Sequence, residues 1–116
     1  MRRCKIRIYI AHTYGRRHGL SSKECEANVF KSIEYGRALI KKGHTPFLPN
    51  LFHYVHSGWD SSPDEDIWLS MTVEWLRQCD ALLVAEVPPW PDSGVHREID
   101  VATEMNIPIY WSLGEV

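Results

Sequence analysis

The run Ala81-Leu-Leu-Val-Ala85 decides the fold of this chain. All of its side chains are apolar, whereas a strand with one solvent-facing side alternates between apolar and polar residues. A continuous apolar run is typical of a parallel strand that helices cover on both faces. The run therefore predicts a strand near the middle of a parallel α/β sheet.

The segments around this run alternate between strand and helix patterns. The predicted strands cover residues 6–11, 45–48, 81–85 and 107–111. The predicted helices begin after a cap at Ser21 or Ser22, at Pro63 and at Val95. This alternation indicates a parallel sheet with right-handed crossovers, and ligands of such sheets bind beyond the carboxyl ends of the strands. With no internal repeat, residues 1–116 are expected to form a single domain.

Apolar residues at helical spacing predict which helix faces are buried. In the first helix the predicted buried stripe is Ala27, Phe30, Ile33, Ala38, Leu39 and Ile40. In the second helix it is Ile67, Met71, Trp75 and Leu76. Phe30, Trp68 and Trp75 are expected in the core rather than on a surface that stacks nucleic-acid bases. The aromatic segment 50–62 is expected to be a loop.

Composition and charge exclude several classes of protein. The chain has 116 residues, of which 44% are hydrophobic and 24% charged, and its net charge is −2. These values exclude disorder and collagen-like repeats, and they give no bulk attraction to a nucleic-acid polymer or an anionic membrane. Cys4, Cys25 and Cys79 form no CxxC pair, which predicts reduced thiols in the cytoplasm. Apolar runs reach only about six residues, too short for a leader or a membrane span.

The motif Asp92-Ser-Gly-Val-His-Arg-Glu98 joins the central strand to the last helix. One interpretation is a helix cap at Asp92 or Ser93, followed by a solvated Glu98. The other is a pair of carboxyl groups that converge at the carboxyl edge of the sheet. Two carboxyl groups with separated pKa values can act as nucleophile and proton donor in glycosyl transfer.

The motif His12-Thr-Tyr-Gly-Arg-Arg-His-Gly19 follows the first strand. It matches neither the GxGxxG pattern of dinucleotide sites nor the P-loop pattern. Its glycines and adjacent arginines, together with the helix N-terminus that follows, can cradle an anion. A solvated basic loop is the alternative interpretation.

The remaining histidines and cysteines show no convincing metal or nucleophile pattern. His53 and His56 are close in sequence, with His44 nearby, but no third ligand has suitable spacing. Ordinary loop histidines are therefore favoured over a metal site. His96 is expected on the surface of the last helix. Cys79 precedes the buried strand, where a thiol is usually inert.

Three stretches resemble one known family in their order along the chain. They are Ile8-Tyr-Ile-Ala11, Thr72-Val-Glu-Trp-Leu-Arg-Gln-Cys-Asp-Ala-Leu-Leu-Val-Ala-Glu86 and Ser93-Gly-Val-His-Arg-Glu98, followed by Ala102 and Ile107-Pro108. The chain resembles the nucleoside 2-deoxyribosyltransferase superfamily, including its 2′-deoxynucleoside 5′-monophosphate N-glycosidase branch and short phage and bacterial relatives. The resemblance covers nearly the whole chain. It implies a flavodoxin-like (Rossmann-like) three-layer sandwich with a parallel sheet of about four to five strands.

The resemblance also implies roles for individual residues. Glu98 would be the nucleophile that forms a covalent glycosyl intermediate, Tyr9 would orient its carboxylate, and Asp92 would lie near the base or the sugar. The residues implied to bind the substrate are His12, Gly15, Arg16, Arg17, Thr72, Ser93 and Gly94. The substrate would be a 2′-deoxynucleoside or its 5′-monophosphate, and cleavage or transfer of its N-glycosidic bond requires no metal or organic cofactor.

One departure from the family concerns Thr72, where most members carry an aspartate that handles the base. Threonine cannot deliver a proton as a carboxylic acid does. Either another acid substitutes or the activity is weak or absent, and the acids available are Asp92, Asp64 and Asp66. The alternative function is a non-catalytic nucleotide-binding or sensing module, which Thr72 favours and the retained Tyr9 and Glu98 oppose.

Two further expectations concern phosphate and partner chains. Arg16 and Arg17 lie where the glycosidase branch contacts the 5′-phosphate. Their attraction for phosphate is expected to exceed its repulsion by the Asp92 carboxylate, so the monophosphate is favoured over the nucleoside. Five tryptophans and the aromatic segment 52–59 favour a homodimer or higher homo-oligomer. Family members complete their sites across subunits through a C-terminal segment. That segment is short here, with Ser112 and Glu115 as its polar candidates.

Overall fold

The computed structural model describes residues 5–116, so Cys4 and the residues before it lie outside the described part. The described residues form one sheet of four strands: β1 (Arg7–Ala11), β2 (Thr45–Phe47), β3 (Ala81–Val84) and β4 (Ile109–Tyr110). The strand order is β2-β1-β3-β4, and every neighbouring pair is parallel. The predicted α/β fold is confirmed, and the arrangement is compatible with a flavodoxin-like three-layer sandwich.

The described residues also contain four α-helices: α1 (Ser22–Lys41), α2 (His53–His56), α3 (Glu65–Leu76) and α4 (Gly94–Glu104). Ser21 caps α1 in a capping box with Glu24, as the sequence predicts. Gly43, with a φ of 89°, follows the end of α1 in the left-handed region. Asp64 caps α3 and Ser93 caps α4. None of these helices is long and apolar enough to cross a membrane.

The two faces of the sheet have separate cores. One face buries Tyr9 and Leu82 beneath α3 and α4. The other buries Ile10 and Leu83 beneath α1 and the C-terminal 3₁₀ helix Leu113–Glu115. Residues that alternate along β1 and β3 thus enter different layers, which is why β3 is apolar throughout and β1 is apolar from Ile8 onward.

The C-terminal residues pack against their own chain. Lys42 Nζ donates a hydrogen bond to the Leu113 carbonyl at 2.6 Å. The Glu115 carboxylate accepts a hydrogen bond from the Trp111 backbone N–H. Ser112 and Glu115 therefore belong to a turn that α1 holds in place, and Glu115 is occupied within its own segment.

The buried face of α1 differs from the predicted stripe. Phe30 and Ile40 are 55% and 61% exposed, and Ala27 is exposed as well. The buried residues of α1 are Cys25, Asn28, Val29, Ser32, Gly36 and Leu39. A Cβ atom at Gly36 would lie 3.1 Å from Leu48 Cδ2, so this face permits a close approach of the helix. The inward face of α1 therefore combines small and polar residues with Val29 and Leu39.

Three of the four residues predicted for the buried stripe of α3 are exposed, whereas Leu76 and the separately expected Trp68 are buried as predicted. Ile67, Met71 and Trp75 are 50%, 37% and 52% exposed, so Trp75 is not a core residue. The buried residues of α3 are Trp68, Thr72, Val73 and Leu76. Two adjacent stripes with the same spacing run along this helix, and periodicity does not distinguish between them. Packing of α3 against α4 and the sheet decides which stripe is buried.

The segment 50–62, predicted as a loop, contains helical structure. The 3₁₀ helix Pro49–Phe52 leads directly into α2. Asn50 and His53 are buried, and Asn50 Nδ2 donates a hydrogen bond to the Thr13 carbonyl at 3.1 Å. The structure of this segment depends on residues after β1, which a local pattern does not reveal.

Candidate functional site

A cavity of about 130 Å³ lies at the carboxyl edge of the sheet. Its lining comes from the connections after β1, β2 and β3 and from α3 and α4, as expected for a parallel sheet. The sequence-predicted site residues in this lining are His12, Gly15, Arg16, Arg17, Thr72, Ser93, Gly94 and Glu98. Tyr9 lies behind Glu98, in hydrogen-bond contact with it.

Tyr9 and Glu98 form a buried pair between β1 and α4. The Tyr9 phenol donates a hydrogen bond to Glu98 Oε2, which confirms the predicted contact. β1 directs Tyr9 to the face of the sheet that α4 covers. The buried residues of α4 are Val95, Glu98 and Ala102, which follow helical spacing. Because the Ser93 hydroxyl caps the first turn of α4, the start of this helix and the direction of Glu98 are set together.

Burial controls the protonation of this pair. It raises the pKa of Glu98 to about 8, and the hydrogen bond from Tyr9 acts in the opposite direction. Burial, followed by the charge of Glu98 and the hydrogen bond to it, raises the pKa of Tyr9 well above its ordinary value. The Glu98 carboxyl group is therefore largely protonated at neutral pH. A ligand that develops positive charge beside it would favour the ionised form.

Thr72 lies beside this pair on α3. Its hydroxyl donates a hydrogen bond to the Leu69 carbonyl at 2.9 Å and is close enough to Tyr9 to lower the pKa of the phenol. Thr72 is buried and lines the cavity. The position at which the resemblance implies an aspartate is thus filled by a hydroxyl group that is already engaged with the backbone of its own helix.

The structure places Asp92 outside the cavity lining. Its side chain is 69% exposed, and Asp92 Oδ1 lies 3.7 Å from His18 Nε2. The expectation that Asp92 and Glu98 converge in the cavity is not met. The physical reason is the position of the helix start: Ser93 is the N-cap of α4, so Asp92 precedes the helix and points to solvent.

Glu65 is a cavity residue that the sequence analysis missed. It lines the cavity, and Glu65 Oε1 lies 3.2 Å from Arg16 Nη1. The next residue, Asp66, pairs with Arg17 at 3.7 Å. Glu65 lies two helical turns before Thr72 on α3, so helical spacing from Thr72 could have found it.

His12 and Glu86 meet at the ends of β1 and β3. His12 is buried, its Nδ1 lies 2.8 Å from the Thr13 carbonyl, and its Nε2 lies 3.1 Å from Glu86 Oε2. Thr13 also donates a hydrogen bond to Glu86 at 3.2 Å. Both ring nitrogens therefore face oxygen acceptors, and His12 is held rigidly in the lining. Glu86 was missed, although its position directly after the central strand places it at this edge.

Tyr14, His53 and His56 form a cluster in the same lining. The Tyr14 hydroxyl lies 2.6 Å from His53 Nδ1 and 2.6 Å from His56 Nε2. Burial lowers the pKa of His56, and the charges of Arg16 and His53 lower it further. Burial raises the pKa of Tyr14 above its ordinary range. Within residues 5–116, no group of three or more His, Cys, Asp or Glu side chains is placed to hold a metal ion.

A second cavity, of about 360 Å³, shares this cluster as part of its lining. Tyr14, Arg16, His53 and His56 line both cavities and so separate them. Cys79, which was expected to be inert, lies elsewhere, and burial raises the pKa of its thiol to about 11. Cys25 lines the second cavity, and burial raises the pKa of its thiol as well. The chemistry available beside Glu98 therefore comes from that carboxyl group and the surrounding histidines.

Comparison with known proteins adds a family to this geometry. No curated protein matches the chain. A family model described as a domain of unknown function (DUF7768) matches residues 6–112. The match includes β1 with Tyr9, α4 with Glu98 and every residue of the cavity lining. The chain therefore belongs to the family described as domain of unknown function DUF7768.

Proposed function

We propose that this protein cleaves or transfers the N-glycosidic bond of a 2′-deoxynucleoside or its 5′-monophosphate. The observation that carries the proposal is the buried Tyr9–Glu98 pair at the edge of the cavity. A carboxyl group in such a place can stabilise and then trap the oxocarbenium character that develops at C1′ of a deoxyribosyl group. The resemblance to the deoxyribosyltransferases supports the same assignment.

The reaction would proceed in two displacements. In the first, an oxygen of ionised Glu98 forms a bond to C1′, and the base leaves with the electron pair of the N-glycosidic bond. In the second, water or another base attacks C1′, and the Glu98 carboxylate leaves. Tyr9 holds the reacting carboxyl group in one orientation throughout. Because the pKa of Glu98 is about 8, roughly a tenth of the free protein carries the nucleophile at pH 7.

The departing base also needs a proton, and the residues around Glu98 supply no free carboxylic acid for it. Thr72 is a hydroxyl, Asp92 lies outside the lining, and Glu65 is paired with Arg16. This supports a bond cleavage that is easiest when the base needs little protonation. It also favours the second candidate function, a nucleotide-binding module that does not turn over its ligand.

The preference for a 5′-monophosphate over the nucleoside is part of the same proposal. Arg16 and Arg17 line the cavity, which supports a 5′-monophosphate as the substrate. Each arginine already has a carboxylate partner, Glu65 or Asp66, that a phosphate would have to displace. We therefore propose that the monophosphate is preferred, with an advantage smaller than two unpaired arginines would give.

The first experiment is a test of base release. The protein is incubated with a panel of 2′-deoxynucleosides and their 5′-monophosphates, together with 7-methyl-2′-deoxyguanosine, whose cationic base leaves without a proton. Free base is measured by chromatography. We expect release, fastest from the methylated substrate, and a loss on the order of 1,000-fold or more in Glu98→Gln.

The matched control is Glu104→Gln, which makes the same change at an exposed position of α4. It should release base at the wild-type rate. Equal turnover in wild type and Glu98→Gln would refute the role of Glu98. Binding of a nucleotide without release of base from any substrate, including the methylated one, would favour the binding module.

A homodimer is a further part of the proposal. Ile67, Met71 and Trp75 form an exposed apolar stripe along α3, which is an unusual surface for a monomer. The chain mass is 13.5 kDa, and light scattering at micromolar concentration should give about twice that value. Met71→Glu should shift the mass to that of the monomer, whereas Ile40→Glu on α1 should not. A monomeric wild type would contradict this assignment.

The thiols are the observation that supports a compartment. Cys25 and Cys79 are free cysteines, and neither forms a disulfide within the described residues. Free thiols support a reducing compartment, so we place the protein in the cytoplasm.

A further inference from the structure

The residues between Gly15 and Gly19 form a short unit, here named the strap. Its centre is the 3₁₀ helix Arg16–His18, and glycines with φ of 98° and 85° stand at its two ends. His18 N and Leu20 N both donate hydrogen bonds to the Gly15 carbonyl, at 3.0 and 3.1 Å. A Cβ atom at Gly15 would lie 2.1 Å from Leu20 Cδ1, so this end requires glycine. The strap is compact in itself and joins the chain through two left-handed glycines.

The basic side chains of the strap reach the start of α3. Arg16 Nη1 lies 3.2 Å from Glu65 Oε1, and Arg17 Nη1 lies 3.7 Å from Asp66 Oδ1. Successive residues of the strap thus pair with successive acids of one helix turn. The two arginine charges are balanced by the two carboxylates, so the strap and the start of α3 together add no net positive charge to this edge of the cavity.

The last residue of the strap is attached to the connection between β3 and α4. The His18 ring stacks on Trp90 with ring centroids 4.4 Å apart and an interplanar angle of 4°. His18 Nε2 is buried without a hydrogen bond within the described residues, and the nearest acid is Asp92 at 3.7 Å. The strap therefore spans from α3 to this connection, and all three of its side chains line the cavity.

The cavity beside Glu98 is small for the ligands that such sites bind. Ligand pockets for small molecules usually measure roughly 300–1,000 Å³, whereas the cavity beside Glu98 measures about 130 Å³. No residue of the strap is buried, so it can lift without opening the hydrophobic core. Its ties to the rest of the chain are the stack of His18 on Trp90 and two exposed ion pairs, and the ion pairs contribute little and weaken as salt screens them.

We propose that the strap is a lid over the Glu98 cavity, that the Arg16–Glu65 and Arg17–Asp66 pairs hold it closed, and that it opens to admit its ligand. The lid follows from the ion pairs and the cavity size, and only the identity of the ligand as a deoxynucleoside rests on the proposed function. Opening exposes the backbone after both arginines.

Limited digestion of the full-length protein with trypsin tests this directly, because the lid carries its own cleavage sites. Mass spectrometry follows the fragments that end at Arg16 and Arg17. In Glu65→Gln/Asp66→Asn, cleavage at these sites should be roughly two- to tenfold faster than in wild type, because two exposed ion pairs are lost. Glu74→Gln, which neutralises an exposed acid on the same helix, is the matched control and should digest as wild type does.

Salt provides a second measurement that needs no variant. Raising the ionic strength from about 0.01 M to about 1 M shortens the screening length roughly tenfold and should speed cleavage of wild type towards the rate of the double variant. The double variant itself should respond less. Thermal melting is recorded for each protein, so that cleavage through global unfolding is recognised.

The outcomes separate the lid from the proposed function. Unchanged cleavage in the double variant, or a wild type that does not respond to salt, overturns the lid whatever the catalytic activity is. Millimolar thymidine or 2′-deoxyadenosine should slow cleavage in wild type by closing the lid over the bound ligand. Acceleration in the double variant without such protection would keep the lid and count against deoxynucleosides as the ligand.

Discussion

The cavity has a floor, formed by Tyr9 and Glu98, and a mouth, formed by Arg16 and Glu65. Each holds a paired glutamate, but the two pairs differ in exposure and therefore in their physical consequences. At the floor, Tyr9 and Glu98 are 0% and 5% exposed, and burial moves the pKa of Glu98 by several units. At the mouth, the side chains of Arg16 and Glu65 are 40% and 32% exposed, so water screens their attraction. The floor can therefore control protonation and chemistry, whereas the mouth can control access at little energetic cost.

The largest expected effect concerns stability at the floor. The pKa of Glu98 is raised from about 4.5 to about 8 by burial, so the folded state binds one more proton than the unfolded state between these values. The contribution of Glu98 to the free energy of unfolding is thus fully present below about pH 4.5 and falls as pH rises towards about 8. The fall should amount to about 2–4 kcal/mol.

Glu98→Gln measures this contribution because the amide does not titrate. Urea unfolding of both proteins is measured between pH 5 and pH 9. The free energy of unfolding of the variant should rise relative to that of wild type as pH rises. If the difference in the free energy of unfolding between the two proteins stays constant across this range, Glu98 is not a buried, protonated group. The floor would then not differ from the mouth in its control of protonation.

A smaller effect at the floor is expected for Tyr9→Phe. The variant removes the donor that lowers the pKa of Glu98, so that pKa should rise further and the activity should shift to higher pH. Loss of a hydrogen bond to a buried group should also cost about 1–3 kcal/mol of stability. Tyr110→Phe on β4 is the matched control. A pH profile of base release unchanged from wild type would show that Tyr9 does not orient Glu98.

The smallest effect is expected at the mouth. A guanidinium–phosphate contact contributes about 1.5–3 kcal/mol, and displacement of Glu65 and Asp66 offsets part of it. The monophosphate should therefore have an advantage of roughly tenfold over the nucleoside in kcat/KM, and Arg16→Ala/Arg17→Ala should remove it. If the monophosphate keeps its advantage in the double variant, or has none in wild type, the strap does not bind the phosphate.

Local patterns predicted the parts of the fold that depend on short stretches of chain. A helix cap at Ser21 or Ser22 was predicted, and Ser21 is the cap, because a cap involves only neighbouring residues. The apolar run at residues 81–85 predicted the central strand, since only a strand covered on both faces is apolar throughout. On α3 the prediction was right for Trp68 and Leu76 and wrong for Ile67, Met71 and Trp75, because Ile67 and Trp68 begin two stripes with equal spacing.

The sequence by itself determined the parallel α/β sheet and the edge at which the site lies. It also determined the contact between Tyr9 and Glu98, because the end of β1 and the start of α4 meet at that edge in this topology. Only the tertiary structure decided that Asp92 faces solvent while Glu65 lines the cavity. Whether a charged side chain faces a cavity or water depends on a rotation of about 100° per residue around a helix. For Glu65 that rotation is fixed only once packing between the layers has placed Thr72 in the lining, and Asp92 faces solvent because the N-cap at Ser93 leaves it outside the helix.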